Sequence, residues 1–303
     1  MMCGTGTSGL AAIMVGRLRM PIEKAILAYI SLMESAFSRK KWWKSEEWDS
    51  GRLQRAIDIM IGANMPVDWF HRGLYPSTLR DKKKCRELNG EYEPMLEFGR
   101  YVKCRVFVTT TFKEDSPSCT RRLRTYCSGN DPLYYCTISE VLRATTVEPH
   151  LTEPLRMRLR WSGSKRRMFT ASSGCASPTI QLIEEAARDL RGYRVACIIS
   201  LGTGHPHTIC EGTPRLHASR TAKVLRQIAA DCEETYLKLA PLYEDHNVYF
   251  RFNIDREFRK VGVEEWNYPE EVQKCTLEYM EQTEVARDIE NLVRILLDYC
   301  SKI

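Results

Sequence analysis

One short stretch constrains the fold of this chain more than any other: Gly4-Thr5-Gly6-Thr7-Ser8-Gly9, followed at once by Leu10 to Met20. A run of small residues that gives way to an apolar helical pattern reads as a strand, a tight turn and a helix. The glycines permit backbone angles with φ > 0 and let strand and helix approach closely. The helix N-terminus then directs its free N–H groups at whatever lies in the turn. Only Met1 to Cys3 stand before the turn, so the expectation is an N-terminally truncated domain.

The rest of the chain alternates helical and extended patterns. Pro21 to Phe37 has Ile22, Ala25, Ile26, Tyr29, Ile30 and Met33 at helical spacing, with Pro21 suited to a first turn. Arg52 to Ile61 predicts a second helix. The segment 62–103 holds Pro66, Pro76 and Pro94 with little periodicity and reads as a loop-rich insertion. Arg105 to Thr111 is a β-branched run and predicts a strand, with a second short one over Leu123 to Tyr126. Thr137 and Glu140 form a capping-box pattern ahead of Ile138, Val141 and Leu142. Met157 to Trp161 and Met168-Phe169 predict strands, Thr179 to Leu190 a helix, and Arg194 to Leu201 a buried strand. The remainder, 217–303, is a mainly helical portion: helices over Thr221 to Leu239 and Glu284 to Cys300 flank a strand over Asn247 to Ile254. Strands alternating with helices imply an α/β domain with a mainly parallel sheet, and no repeat breaks 1–303 into more than one domain.

Charge and cysteine usage narrow the function classes. The net charge of +6 is clustered, as in Arg39-Lys40-Lys41, Lys82-Lys83-Lys84, Arg121-Arg122, Arg156 to Arg160 and Lys165-Arg166-Arg167. Such clusters are ordinarily solvated surface, and beyond that they suit an anionic lipid or membrane surface held weakly and peripherally. No nucleic-acid motif accompanies them, so nucleic acid is not an expected partner. No apolar run is long enough for a membrane span. The expected location is cytoplasmic, peripheral at membranes, and nothing in the pattern sets an oligomeric state. The twelve cysteines contain no C-x-x-C pair, which reads as free thiols in a reducing compartment. His205 and His207 read as loop histidines, and Trp42, Trp43 and Trp48 as packing at the edge of a core. No metal or cofactor is expected.

The turn itself carries the strongest hint of chemistry. In α/β hydrolytic enzymes a strand–turn–helix of this kind bears a nucleophilic serine in the pattern G-x-S-x-G. Here Gly4-Thr5-Gly6-Thr7-Ser8 has Gly6 at the serine position, and the frame Gly6-Thr7-Ser8-Gly9-Leu10 ends on leucine.

Taken with its other stretches, the chain resembles the patatin-like phospholipases, in particular the intracellular fungal kind, over nearly its whole length. The similar stretches are Gly4 to Met20, Arg143-Ala144-Thr145 with Pro149, and Val195 to Gly204 with its S-x-G-T-G ending. Asp231-Cys232-Glu233, Asn247 to Asn253 and Glu265-Trp266 add to them. The resemblance implies a three-layer fold with a mainly parallel central sheet between helices. It also implies acyl-ester hydrolysis of lipids by a Ser–Asp dyad, in which the aspartate takes the serine proton and backbone N–H groups stabilise the oxyanion. Carried over by position, the family nucleophile falls on Gly6 and the family aspartate on Thr170, which Ala171-Ser172 follows where glycines belong. Glycine has no nucleophile and threonine is a poor base. The implied reading is a lipid acyl hydrolase homologue without its dyad, inactive or nearly so. Two alternatives stand beside it: an active hydrolase using Ser8, and a non-catalytic module on anionic membranes. A serine near a helix start is ordinarily an N-cap, and that is the competing reading of Ser8.

Overall fold

The computed structural model describes residues 1–37, 49–65, 93–97, 104–112, 120–128, 136–146, 155–158, 165–170, 177–202, 220–243, 248–254 and 269–301, with the backbone alone for 156–158, 165–170, 220–231 and 269. Eight α-helices and seven strands form among these residues, a mixed α/β architecture. Contacts divide the chain into two compact units, Met1–Pro178 and Thr179–Ile303.

The first unit opens with β1 (Met2–Gly4) and α1 (Thr7–Ala12), which runs on into a π-helical turn, Ile13–Arg17. Then come α2 (Ile22–Phe37), α3 (Ser50–Asn64), β2 (Val106–Phe112), β3 (Arg121–Arg124), α4 (Ile138–Thr146), β4 (Leu155–Arg158) and β5 (Lys165–Thr170). Strand β2 is the hub. β1 pairs with it in parallel, Gly4 opposite Val108, while β3 and β5 join it antiparallel and β4 extends the sheet from β5. The expected parallel pairing therefore holds for β1–β2, and the other strands of this sheet depart from it. For the β2–β3 and β4–β5 pairs the physical reason is connection length. The segments 113–120 and 159–164 are short, and a parallel return needs a crossover of a dozen or more residues.

Every residue of β2 is buried, and alternate side chains divide between its faces. Val106, Val108 and Phe112 join the core with Leu10, Ile13, Met14, Ile57, Ile61 and Leu142, so helices α1 to α4 cover that face. The expected helices over 21–37 and 52–61 both form. The second is lengthened by Asp49, whose carboxylate accepts from the N–H groups of Gly51 at 2.9 Å and Arg52 at 3.3 Å. The capping box at α4 closes in both directions: Thr137 N–H donates to Glu140 Oε2 at 2.9 Å, and Glu140 N–H to Thr137 Oγ1 at 3.1 Å. The strand expected over 123–126 is shifted to Arg121–Arg124, because Thr125 turns its hydroxyl to accept from Val106 N–H.

Of the insertion expected over 62–103, the residues 66–92 and 98–103 lie outside the described part. Its short described segment, Glu93–Glu97, is pinned to the core. Arg17, at the end of the π-helical turn, is 2% exposed and donates to Glu93 Oε1 at 3.1 Å, to Pro94 O at 2.8 Å and to Met95 O at 3.1 Å. Arg19, at φ 55°, pairs with Glu97. Met95 N–H donates to Cys136 O, and Ile138 N–H to Glu93 O.

The second unit contains α5 (Thr179–Asp189), β6 (Ile198–Leu201), α6 (Arg220–Tyr243), β7 (Tyr249–Phe252), α7 (Pro269–Met280) and α8 (Thr283–Cys300). β6 and β7 pair in parallel, Ser200 opposite Arg251. The strand expected over 194–201 is shortened to Ile198–Leu201 and is buried at alternate positions only, Ile198 and Ser200, with Ile199 and Leu201 exposed. Its apolar run signals two-sided burial, but cover is present on one face. Helix α7 is not among the expected helices, although Pro269 with Glu270 and Glu271 is a helix-start pattern and Val272, Cys275 and Tyr279 recur at helical spacing. No helix among the described residues is long and apolar enough to cross a membrane.

The Arg17–Glu93 pair is enclosed, with side chains 3% and 6% exposed. Glu93→Ala strands the guanidinium charge in the interior, and loss of one partner of a buried pair costs about 3–5 kcal/mol. Urea denaturation is expected to show that loss, with Arg17→Met/Glu93→Leu recovering a large part of it.

Candidate active site

The site is built from β1, the turn after it, and the strands beside β2. Gly4 ends β1 against the start of α1. A Cβ placed on it would lie 2.4 Å from Ser8 O and 2.6 Å from Gly9 N, so only glycine lets strand and helix meet this closely. Gly6 is the apex of the turn, at φ 59° and ψ −131°, a conformation that residues with a Cβ rarely adopt. Its carbonyl accepts from Gly9 N–H at 3.1 Å. Its own N–H donates to Thr145 Oγ1 at 3.0 Å, and that hydroxyl donates to Thr109 O at 3.0 Å. One threonine from α4 thus ties the turn to the central strand. Thr110 Oγ1 adds a bond to Ala144 O at 3.2 Å.

Strand order brings Thr170 close to the Gly6 turn. Phe107 and Val108 each pair with both β1 and β3, so those two strands lie on opposite edges of β2. Thr110 pairs with both β3 and β5, so β5 lies on the edge of β1. Gly4 stands opposite Val108 and Thr170 opposite Thr110. Two steps along β2 span about 7 Å. The backbones of the Gly4–Gly6 turn and of Thr170 therefore converge beside the middle of β2, although 164 positions separate Gly6 from Thr170 in the chain.

Ser8 is neither an N-cap nor an armed nucleophile. Gly6 holds the cap position, no side chain caps α1, and Ser8 lies within the first turn. Its hydroxyl turns back, donating to Thr5 O at 2.8 Å and accepting from Thr5 N–H at 3.0 Å. The reason is local: the sharp bend at Gly6 brings Thr5 over the first helical turn. No carboxylate or imidazole among the described residues hydrogen-bonds Ser8 to draw off its proton.

A serine–carboxylate contact does exist elsewhere in this unit. Ser139 Oγ donates to Asp58 Oδ1, with Gln54 Nε2 bonded to Asp58 and Ser139 and Arg143 bonded to Gln54 Oε1 and Ser50 O. Ser139 is 1% exposed, so no ester can reach it, and the group fastens α3 to α4. No sequence signal joins positions this far apart. His205, His207, Trp42, Trp43 and Trp48 lie outside the described residues. Of the basic clusters, Arg121 lies over the Phe112 ring at 5.3 Å. Among the described residues no group of His, Cys, Asp and Glu could hold a metal ion.

No protein-family model matches the chain, and no curated protein matches it. A sharp turn at a helix start, with a second strand end beside it, is the geometry that presents a nucleophile and a base in acyl transfer. Both positions carry residues that cannot fill those roles.

The two turn glycines are separable by substitution. A Cβ at Gly6 meets nothing within 4 Å, so Gly6→Ala meets backbone strain only, about 1–3 kcal/mol. Gly4→Ala forces backbone against backbone and is expected to exceed the roughly 3 kcal/mol typical of overpacking. Thermal unfolding of the two variants should rank them in that order.

Proposed function

We propose that the chain is a patatin-like lipid acyl hydrolase homologue whose Ser–Asp dyad has been lost, so that it turns over esters negligibly. The observation that carries this reading is the turn at Gly6: a strand-to-helix elbow with φ 59° at its apex, where the family serine would stand, occupied by a residue with no side chain. The approach of the Thr170 backbone to that turn along β2 supports it further, because the family aspartate falls there by sequence. In the intact dyad the serine oxygen attacks the ester carbonyl, the aspartate accepts the serine proton, and an acyl-enzyme forms before water releases it. With glycine and threonine in those roles neither attack nor proton transfer has an agent. Removal of nucleophile or base lowers rates by several orders of magnitude in related systems.

The alternative of an active hydrolase through Ser8 draws no support from its surroundings, since Thr5 engages both the proton and the lone pair of that hydroxyl. A fluorescent phosphonate that labels activated serines tests both readings. The unaltered chain is expected to remain unlabelled and to leave a chromogenic acyl ester at the background rate. Gly6→Ser/Thr170→Asp is expected to gain label above Gly6→Ser alone. Labelling of the unaltered chain that vanishes in Ser8→Ala would overturn the proposal. A folded double variant that takes no label would remove Thr170 from it.

A further inference from the structure

The two faces of β2 differ in how their threonines are satisfied. On the side that the helices cover, Thr110 Oγ1 donates to Ala144 O at 3.2 Å, and Thr145 Oγ1 links the Gly6 N–H to Thr109 O. Just past β3, Thr125 Oγ1 accepts from Val106 N–H. The face away from the helices carries Phe107, Thr109 and Thr111, by alternation along the strand. That face is closed too. Phe107 and Thr109 are 0% exposed and Thr111 is 7% exposed, while Cys3, opposite Phe107, donates from Sγ to Pro178 O at 3.5 Å. Yet the hydroxyls of Thr109 and Thr111 are buried with no hydrogen-bond partner among the described residues.

Two more hydroxyls join them. Thr110 pairs with Arg121, so one step further in the same register Thr120 stands opposite Thr111. Gly4 pairs with Val108, so the next residue, Thr5, comes alongside Thr109. Thr5 Oγ1 and Thr120 Oγ1 are likewise buried and unpaired among the described residues. Residues directly opposite have Cβ atoms about 5 Å apart, and alternate residues of one strand stand about 7 Å apart. Four unsatisfied hydroxyls therefore share one patch of the sheet. Arg122 stands opposite Thr109 and Arg124 opposite Phe107, so both side chains leave the sheet on this same face, and both are half-buried.

A buried hydroxyl is ordinarily hydrogen-bonded, and one that is not calls for a ligand, an ion or ordered water. The chemistry of the patch selects among these. Guanidinium groups donate only, and hydroxyls can donate as well. A metal cation would meet two fixed positive charges, and none of the six side chains is a carboxylate. An oxyanion offers acceptors alone, and guanidinium gives it paired N–H donors. Four hydroxyls with the N–H groups of Arg122 exceed the about four acceptor sites of a carboxylate and suit the larger set on a phosphate. We propose that this face of the first sheet binds a phosphate group, held by the hydroxyls of Thr5, Thr109, Thr111 and Thr120 and by Arg122, with Arg124 adding charge. The site adjoins the Gly6 turn through Thr5, but it lies on the sheet face that α1 leaves free and does not depend on the acyl-hydrolase reading.

Calorimetric titration of the full chain with inorganic phosphate tests this. The expected result is saturable binding, weakened about tenfold in Thr109→Val and in Thr111→Val, the worth of one hydrogen bond to a charged group. Each substitution removes an unpaired hydroxyl and keeps the side-chain shape, so thermal unfolding in phosphate-free buffer is expected to be unchanged or raised. Arg122→Gln is expected to weaken binding further and to flatten its dependence on salt. A short-chain phosphatidic acid is the second titrant. Tighter binding than inorganic phosphate places the group on a lipid headgroup, equal or weaker binding makes the free ion the ligand, and both uphold the site. Absence of phosphate binding overturns the proposal. So does binding that both Thr→Val variants retain in full, which would mean an adventitious ion only. Lower stability of both variants without phosphate assigns the hydroxyls to ordered water and overturns it as well. If the variants misfold, hydrogen exchange on the unaltered chain decides: slowing by phosphate over 107–111 and 120–124 upholds the site, and no change there overturns it.

Discussion

The structure of the first unit depends on one close approach, the backbone of Gly4 against the Ser8 carbonyl. Because nothing projects from Gly4, β1 can end directly beneath the first turn of α1. Gly6 then reverses the chain at a φ that most residues avoid. These two glycines fix where α1 lies over β1, and Gly9 extends the fit by sitting against Thr145 and Val108. Thr145 completes the arrangement from another part of the chain, its one hydroxyl satisfying both a turn N–H and a strand carbonyl. The same construction that exposes a nucleophile in acyl-transfer enzymes here exposes a glycine.

Around this turn the unit is held by buried polar contacts as well as by its apolar core. Arg17 and Arg19 follow α1 directly and grip the segment 93–97, so the end of the elbow helix is also the anchor for a distant stretch. Asp58, Ser139, Gln54 and Arg143 join α3 to α4 in the same manner. Such networks stabilise only while every member is paired, because an unpaired buried charge costs more than the pair contributes. They also specify which helix faces meet, a task that interchangeable aliphatic side chains perform less sharply.

The second unit is built differently. It has a two-stranded parallel sheet, aromatic and ionic packing on one face, and amphipathic helices whose apolar residues remain open. The rings of Tyr236 and Tyr243 each lie 6.2 Å from that of Tyr249, and the Arg251 guanidinium lies over Tyr236. Burial pushes the Tyr249 hydroxyl above its ordinary pKa, the expected behaviour of a phenol drawn into an apolar cluster. Parallel strands are ordinarily covered on both faces, and among the described residues Ile199 and Leu201 of β6 remain exposed.

Local pattern is enough to determine much of this protein. The apolar periods of 22–37, 179–190 and 284–300, the β-branched run at 106–111, the capping box at Thr137 and Glu140, and the small-residue turn at Gly4–Gly9 each depend on neighbours within a few residues, and each forms as expected. That a glycine stands at the apex of the turn is legible for the same reason, since it is a matter of residue identity at one position. What lies beyond the sequence depends on contacts between distant residues. Strand direction around β2, the pinning of Glu93 by Arg17, the Ser139–Asp58 pair and the exposure of Ile199 and Leu201 are settled by which surfaces meet. So is the approach of Thr170 to the turn, which requires β5 to pair along the same edge of β2 as β1, just beyond it. Periodicity tells which face of an element is apolar, but only the assembled fold decides what covers it.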